Sequence, residues 1–183
     1  MDGRAGAPLQ EWQVAQWFNT PQPLRLAGLR GRVVLVHAFQ MLCPGCVAHG
    51  LPLAARVHEL FGGEGVAVVG LHCVFEHHDA MQPQALRAFI HEYRWRFPIG
   101  VDEPSARGPV PCTMSAWSLE GTPSTLLVDR DGRLRLHRFG AVDELQLGAW
   151  IGSLLAESPL AQTKRRSDPA GSDACDGDAC PVR

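Results

Sequence analysis

Val33-Val34-Leu35-Val36-His37-Ala38-Phe39-Gln40-Met41-Leu42-Cys43-Pro44-Gly45-Cys46 decides the fold of this chain. Its first half is a nearly unbroken apolar run, as in a strand buried on both faces. Its second half ends in a Cys-x-x-Cys with proline at the first helical position, where a missing N–H costs nothing. Downstream, Leu51, Leu53, Ala54, Val57, Leu60 and Phe61 recur at helical spacing until Gly62-Gly63 stops them. A dithiol at a strand-to-helix junction reads as a redox centre.

The rest of the chain extends this unit. Val66–Leu71 is predicted as a second buried strand, parallel to the first because a helix joins them. Pro83 opens a helix with Leu86, Phe89, Ile90 and Tyr93 on one face. A short strand is expected over Phe97–Asp102, a short helix over Cys112–Leu119 and a strand over Thr125–Val128. Asp129–Gly132 reads as a hairpin turn into an alternating strand over Arg133–Phe139. An amphipathic helix carrying Leu147, Trp150, Ile151 and Leu154 closes the pattern. Before the first strand, Trp12, Val14, Trp17 and Phe18 predict a short helix, and Leu24–Arg32 a strand or turn. Pro52 is expected to kink the helix it lies in. The order implies α/β architecture with a mixed sheet.

At 183 residues, one domain over 1–158 is expected, followed by a flexible tail over 159–183 too rich in Gly, Ser and Asp to build a core. A net charge of −2 gives no reason to expect nucleic acid or an anionic membrane as partner. No signal-peptide pattern and no membrane-spanning stretch are read, so the cytoplasm is the expected location. In that compartment, cysteines at meaningful spacing point to catalysis or metal binding rather than to structural staples.

There are six cysteines: the pair Cys43 and Cys46, the pair Cys175 and Cys180, and the singles Cys73 and Cys112. The attacking species in disulfide exchange is a thiolate. Unpaired N–H groups and the positive end of the dipole at a helix N-terminus favour the anion. Cys43 holds that end. Cys46 lies one turn deeper on the same face, placed to resolve a mixed disulfide formed by Cys43.

These elements resemble thioredoxin-fold proteins, and most closely the redoxin branch of the TlpA and ResA kind. The matching stretches are Leu26–Val36, Cys43–Cys46 and Gly121–Gly132, with the likeness covering about residues 12–156. The resemblance implies a thioredoxin-like fold with a mixed central sheet flanked by helices. It also implies thiol:disulfide oxidoreductase activity, with an antioxidant role among its expected uses. Cys43 looks like the nucleophile, Cys46 the resolving thiol, and Thr122-Pro123 the cis-proline pair facing the dithiol. Partners so implied are a disulfide-containing protein or small thiol substrate and a thioredoxin- or glutathione-type electron donor. No cofactor or metal is called for.

The sequence departs from the family at several places. Leu42 stands where a tryptophan usually precedes the first cysteine. His37 stands where thioredoxins carry a buried carboxylate. It reads either as a core residue or as a tuning group: neutral, it would relay a proton to or from Cys46; charged, it would favour a thiolate. Pro52 lies six residues after Cys46, one more than in close relatives, so the helix register is expected to differ by one. Glu76 is a candidate for tuning the thiol pKa. The loop His72-Cys73-Val74-Phe75-Glu76-His77-His78-Asp79 reads as a polar loop before it reads as a zinc site, since adjacent histidines do not easily share an ion.

Two alternatives use the cysteines differently. A peroxiredoxin-like peroxidase would attack with Cys46, but its proline and threonine slots hold Phe39 and Cys43, and Pro123 falls where its arginine belongs. Cys175 and Cys180 would serve as a tethered dithiol, as a soft-metal clip in a sensor module, or not at all.

Overall fold

The computed structural model describes residues 6–157. The 158/159 boundary, Cys175 and Cys180 lie outside the described residues. Six strands form one sheet in the order β1-β4-β3-β2-β5-β6: β1 Val14–Phe18, β2 Val33–Phe39, β3 Val66–His72, β4 Ile99–Asp102, β5 Ser124–Val128 and β6 Leu134–Phe139. β2, β3 and β4 run parallel, while β1, β5 and β6 are antiparallel to their neighbours. The helices are α1 Leu51–Phe61, α2 Pro83–Tyr93, α3 Cys112–Ala116 and α4 Glu144–Ala156. This is the mixed, helix-flanked sheet of a thioredoxin-like fold. No helix among the described residues is long and apolar enough to cross a membrane.

β2 explains why the apolar run is unbroken. Val33, Leu35 and Phe39 pack on one face against α1, α2 and α4. Val34, Val36 and Ala38 pack on the other, against Trp12, Leu26, Met114 and Trp117. A central strand covered on both sides has no solvent face for polar residues. β6, at the sheet's edge, buries Leu134 and exposes Arg135.

One expectation near the N-terminus is corrected. Trp12–Phe18 is not a helix. Val14–Phe18 pairs antiparallel with β4, with an irregularity between Val14 and Gln16. Aromatic and β-branched residues suit a half-buried pleated surface, and β4 would otherwise have been an open edge. Of the strand or turn expected over Leu24–Arg32, the turn forms: Leu26–Leu29 is a 3₁₀ turn. The Glu11 carboxylate caps it, accepting from Leu26 N at 2.6 Å and Ala27 N at 3.2 Å. The helix expected over Cys112–Leu119 ends at Ala116.

The effect of Pro52 takes a specific form. A π-helical turn, Cys46–Gly50, precedes α1, and the Leu51 N–H reaches back five residues to the Cys46 carbonyl. A π-turn is one residue inserted into an α-helix. The inserted residue lies just upstream of Pro52. The wider turn lies where the proline ring would otherwise meet the carbonyl four residues back.

Candidate active site

The parallel strands β2, β3 and β4 deliver their C-terminal ends to one edge of the sheet, the edge where sites form in α/β folds. Cys43 follows β2, Cys73 follows β3, and Asp102 ends β4. β5 runs the opposite way, so its start, with Thr122 and Pro123, arrives at the same edge.

Cys43 is the N-cap of the helical segment. Its carbonyl accepts from Val47 N at 3.1 Å, and its Sγ accepts from Cys46 N at 3.3 Å. A sulfur in the N-cap position thus takes the N–H that a serine or aspartate oxygen takes elsewhere. The Cys43 thiol also lies 3.5 Å from the Thr122 carbonyl, to which it donates. The Thr122–Pro123 peptide bond is cis. A β-carbon on Gly45 would meet the Pro123 ring at 3.5 Å, so the proline packs directly over the turn between the two cysteines.

The two thiols differ in access. Both are free, Cys43 half-buried and Cys46 fully buried. Burial pushes the Cys46 pKa up to about 12, and the neighbouring Cys43 thiol adds to the rise. Hydrogen bonds from the Gln40 backbone and the Thr122 side chain pull the other way.

His37 is fully buried on β2, with Nδ1 3.3 Å from Thr125 Oγ1 and Nε2 without a hydrogen-bond partner. Burial lowers its pKa to about 4, so it is neutral near pH 7. Its ring fills the space under Gly50 and lines a cleft of about 330 Å³ beside Gly45 and Pro123. Glu76, in contrast, is exposed on the loop after β3 and makes no hydrogen bond to either thiol of the pair. His77 and His78 are exposed too. Among the described residues no group of three His, Cys, Asp or Glu could hold a metal ion.

The buried carboxylate at this edge is Asp102, which sequence reasoning did not single out. It accepts from Thr113 N and Met114 N, both at 2.8 Å, and so caps α3 from a neighbouring strand. The Cys73 thiol, fully buried, donates to it at 3.6 Å. Burial raises the Asp102 pKa against these bonds and holds Cys73 well above an ordinary thiol. An aspartate closing a run that predicts a buried strand was the available signal.

His72 is the second buried imidazole. Neither ring nitrogen has a partner, its ring lies 5.2 Å from that of Phe39, and burial lowers its pKa to about 4. His37 and His72 therefore fold in their neutral forms, while the unfolded chain protonates each below about 6.5. Their stabilising effect is complete above that pH and is lost as pH falls toward 4. Each costs up to about 1.4 kcal/mol per pH unit across the window. Asp102 acts in the opposite sense: the folded state holds its proton more tightly, so its contribution is largest in acid and declines as pH rises. With two histidines against one carboxylate, stability to urea is expected to increase from pH 4.5 to 6.5. His72→Leu should remove about half of the histidine contribution to that slope. A flat profile in wild type would contradict the neutral buried state of both rings.

Comparison with known proteins agrees with this architecture. The profile of the AhpC/TSA family matches residues 6–137. The chain superposes on Thioredoxin-like superfamily protein SPOA0173 with a TM-score of 0.80 and 56% identity, over 82% of this chain and 97% of that one. It superposes equally on a thiol-disulfide isomerase from Corynebacterium glutamicum, with a TM-score of 0.80 and 51% identity, over 83% and 98% of the two chains. It is also 26% identical over 132 residues to Protein DipZ of Mycobacterium tuberculosis (strain CDC 1551 / Oshkosh), covering 71% of this chain but only 18% of that protein's length.

Proposed function

Because the chain belongs to the AhpC/TSA family, we propose that it is a thiol:disulfide oxidoreductase, acting on protein or small-molecule disulfides through Cys43 and Cys46. The observation that carries this reading is the asymmetry of the pair: a half-buried sulfur at a helix N-cap, backed by a fully buried one a single turn deeper. The Cys43 thiolate attacks a substrate disulfide, forms a mixed disulfide and releases the first substrate thiol. Cys46 then attacks Cys43 Sγ, releases the second substrate thiol and leaves the Cys43–Cys46 disulfide. A thiol donor of the thioredoxin or glutathione type restores the dithiol.

Thr122 and Pro123 would line the face on which the substrate docks. Neutral His37 gives a thiolate no electrostatic support, and its ring bonds to Thr125 rather than to Cys46. The exposed Glu76 makes no hydrogen bond to either thiol that would support a tuning role.

The family also suggests peroxidase chemistry, which would assign the attack to Cys46. That thiol is inaccessible and held near 12, the reverse of what a peroxidatic cysteine needs. Reduction of insulin disulfides by the protein with dithiothreitol is therefore expected to proceed well above the uncatalysed rate. Hydrogen peroxide consumption should stay close to that of a simple thiol. Rapid peroxide turnover without insulin reduction would reverse the assignment.

A further inference from the structure

Four cysteines lie outside the active pair, two of them among the described residues. Cys73 is fully buried against Asp102. Cys112 is half-buried at the start of α3, its thiol donating to the Pro104 carbonyl at 3.8 Å. Neither is free to travel to Cys43. Cys175 and Cys180 belong to the 26 residues that follow Glu157, and where that segment begins can be compared with where Cys43 lies.

The segment starts at the C-terminal end of α4. Glu157 is held there by Arg135, whose Nη1 and Nη2 donate to its carboxylate at 2.5 and 2.7 Å, and by Arg130 Nη1, which donates to its carbonyl at 2.8 Å. The cleft beside the dithiol lies at the other end of the same helix. Its lining includes Val142, Asp143 and Glu144 at the start of α4 and Gly45 and Pro123 beside the dithiol. α4 has 13 residues, so the two ends are about 20 Å apart. From Glu157 to Cys175 is 18 residues, a maximum reach of about 60 Å. The segment is long enough to run back along α4 and bring Cys175 or Cys180 to the cleft with a threefold margin.

We propose that the occupant of this cleft is the chain's own C-terminal segment, and that Cys175 and Cys180 form an intramolecular dithiol exchanging with Cys43–Cys46. The inference rests on the oxidoreductase reading above. One tail thiolate attacks Cys43 Sγ of the oxidised pair. The Cys43–Cys46 bond breaks, Cys46 leaves as thiolate and takes a proton, and a mixed disulfide joins Cys43 to the tail. The second tail thiolate attacks the tail sulfur of that bond, releasing Cys43 and closing the Cys175–Cys180 disulfide. Two electrons pass from tail to active site, and the two protons lost by the tail thiols end on Cys43 and Cys46. A soluble thiol reductant of the glutathione type re-reduces the tail, and the reduced pair passes the electrons to substrate. Tethering replaces a bimolecular encounter by an intramolecular one at millimolar effective concentration.

The test uses the full-length chain with Cys46→Ser, oxidised with diamide at low micromolar protein and mapped by mass spectrometry without reduction. Cys43 should be found linked to Cys175 or Cys180 within one chain. In the full-length Cys175→Ser/Cys180→Ser variant, glutathione should restore the oxidised Cys43–Cys46 pair at least tenfold more slowly than in wild type. A free Cys43 in the map, links only between two chains, or an unchanged rate of restoration would overturn the proposal. Insulin reduction by wild type separates the two failures. An active wild type with a negative map leaves the oxidoreductase standing and removes the tail from it, whereas an inactive wild type removes both.

Discussion

Cys43→Ser is expected to abolish disulfide reduction, with a loss on the order of a thousandfold or more. Cys46→Ser should instead preserve the first step and accumulate a mixed disulfide with substrate. The difference follows from access. Cys43 presents its sulfur at the helix N-cap, while Cys46 is wholly enclosed. A pKa of about 12 leaves Cys46 almost entirely protonated at pH 7, so it does not compete for substrate. Part of that elevation comes from Cys43 itself, through a hydrogen bond and charge repulsion. Once Cys43 is tied into a mixed disulfide, it can no longer act as a neighbouring anion. The Cys46 pKa must then fall, and the resolving thiol is activated by the step that requires it. Single-turnover release of the second substrate thiol should accordingly rise with pH until Cys46 is ionised in the mixed disulfide. Trapping the adduct in Cys46→Ser and mapping its linkage checks the order of attack. Trapping in Cys43→Ser, with none in Cys46→Ser, would sink it.

Gly50→Ala is the second large effect, and its sign is opposite to the usual one. Within a helix this change ordinarily stabilises by about 0.5–1 kcal/mol. The backbone at Gly50 has φ −67 and ψ −49, which any residue adopts. The obstacle is purely one of space: a β-carbon there would lie 2.2 Å from His37 Nε2. The imidazole cannot swing aside, because it is buried on a central strand and its Nδ1 is engaged with Thr125. Overpacking of this kind costs about 1–3 kcal/mol, occasionally more, and the π-helical turn carrying Cys46 is the element it would displace. Gly50→Ala should therefore lower stability to urea by about 2–3 kcal/mol and slow insulin reduction as well. In His37→Ala the space is vacant, and adding Gly50→Ala should cost nothing further. The double-mutant cycle should return a coupling of about 2–3 kcal/mol. Additive effects would show that the glycine is not there to admit the imidazole.

Much of the site was legible because its residues obey local rules. Cys43, Pro44 and Cys46 are spaced for a helix N-terminus whatever surrounds them, and Pro123 is marked by the Gly-Thr-Pro that carries the family resemblance. Gly50 could have been flagged as an isolated glycine in a helical pattern, but the reason for it, a histidine on a strand, is a contact between residues 13 apart in the chain. Asp102 was missed for a related reason. A carboxylate at the end of a strand looks like a turn residue until α3 is seen to place two N–H groups against it. Glu76 attracted notice by its place after β3, yet its loop turns the residue into solvent.

By itself, then, the sequence determined the two buried parallel strands, the dithiol at their junction with a helix, and the α/β class, since hydrophobic period and proline placement act within a few residues. Only the tertiary structure decided that Trp12–Phe18 would be an edge strand, because pairing with β4 outweighs a local aromatic pattern. Only it decided that a π-turn would precede Pro52, and that one cysteine of the pair would be reachable and the other sealed. Burial and pairing are properties of what the rest of the chain brings alongside, and no window of sequence contains them.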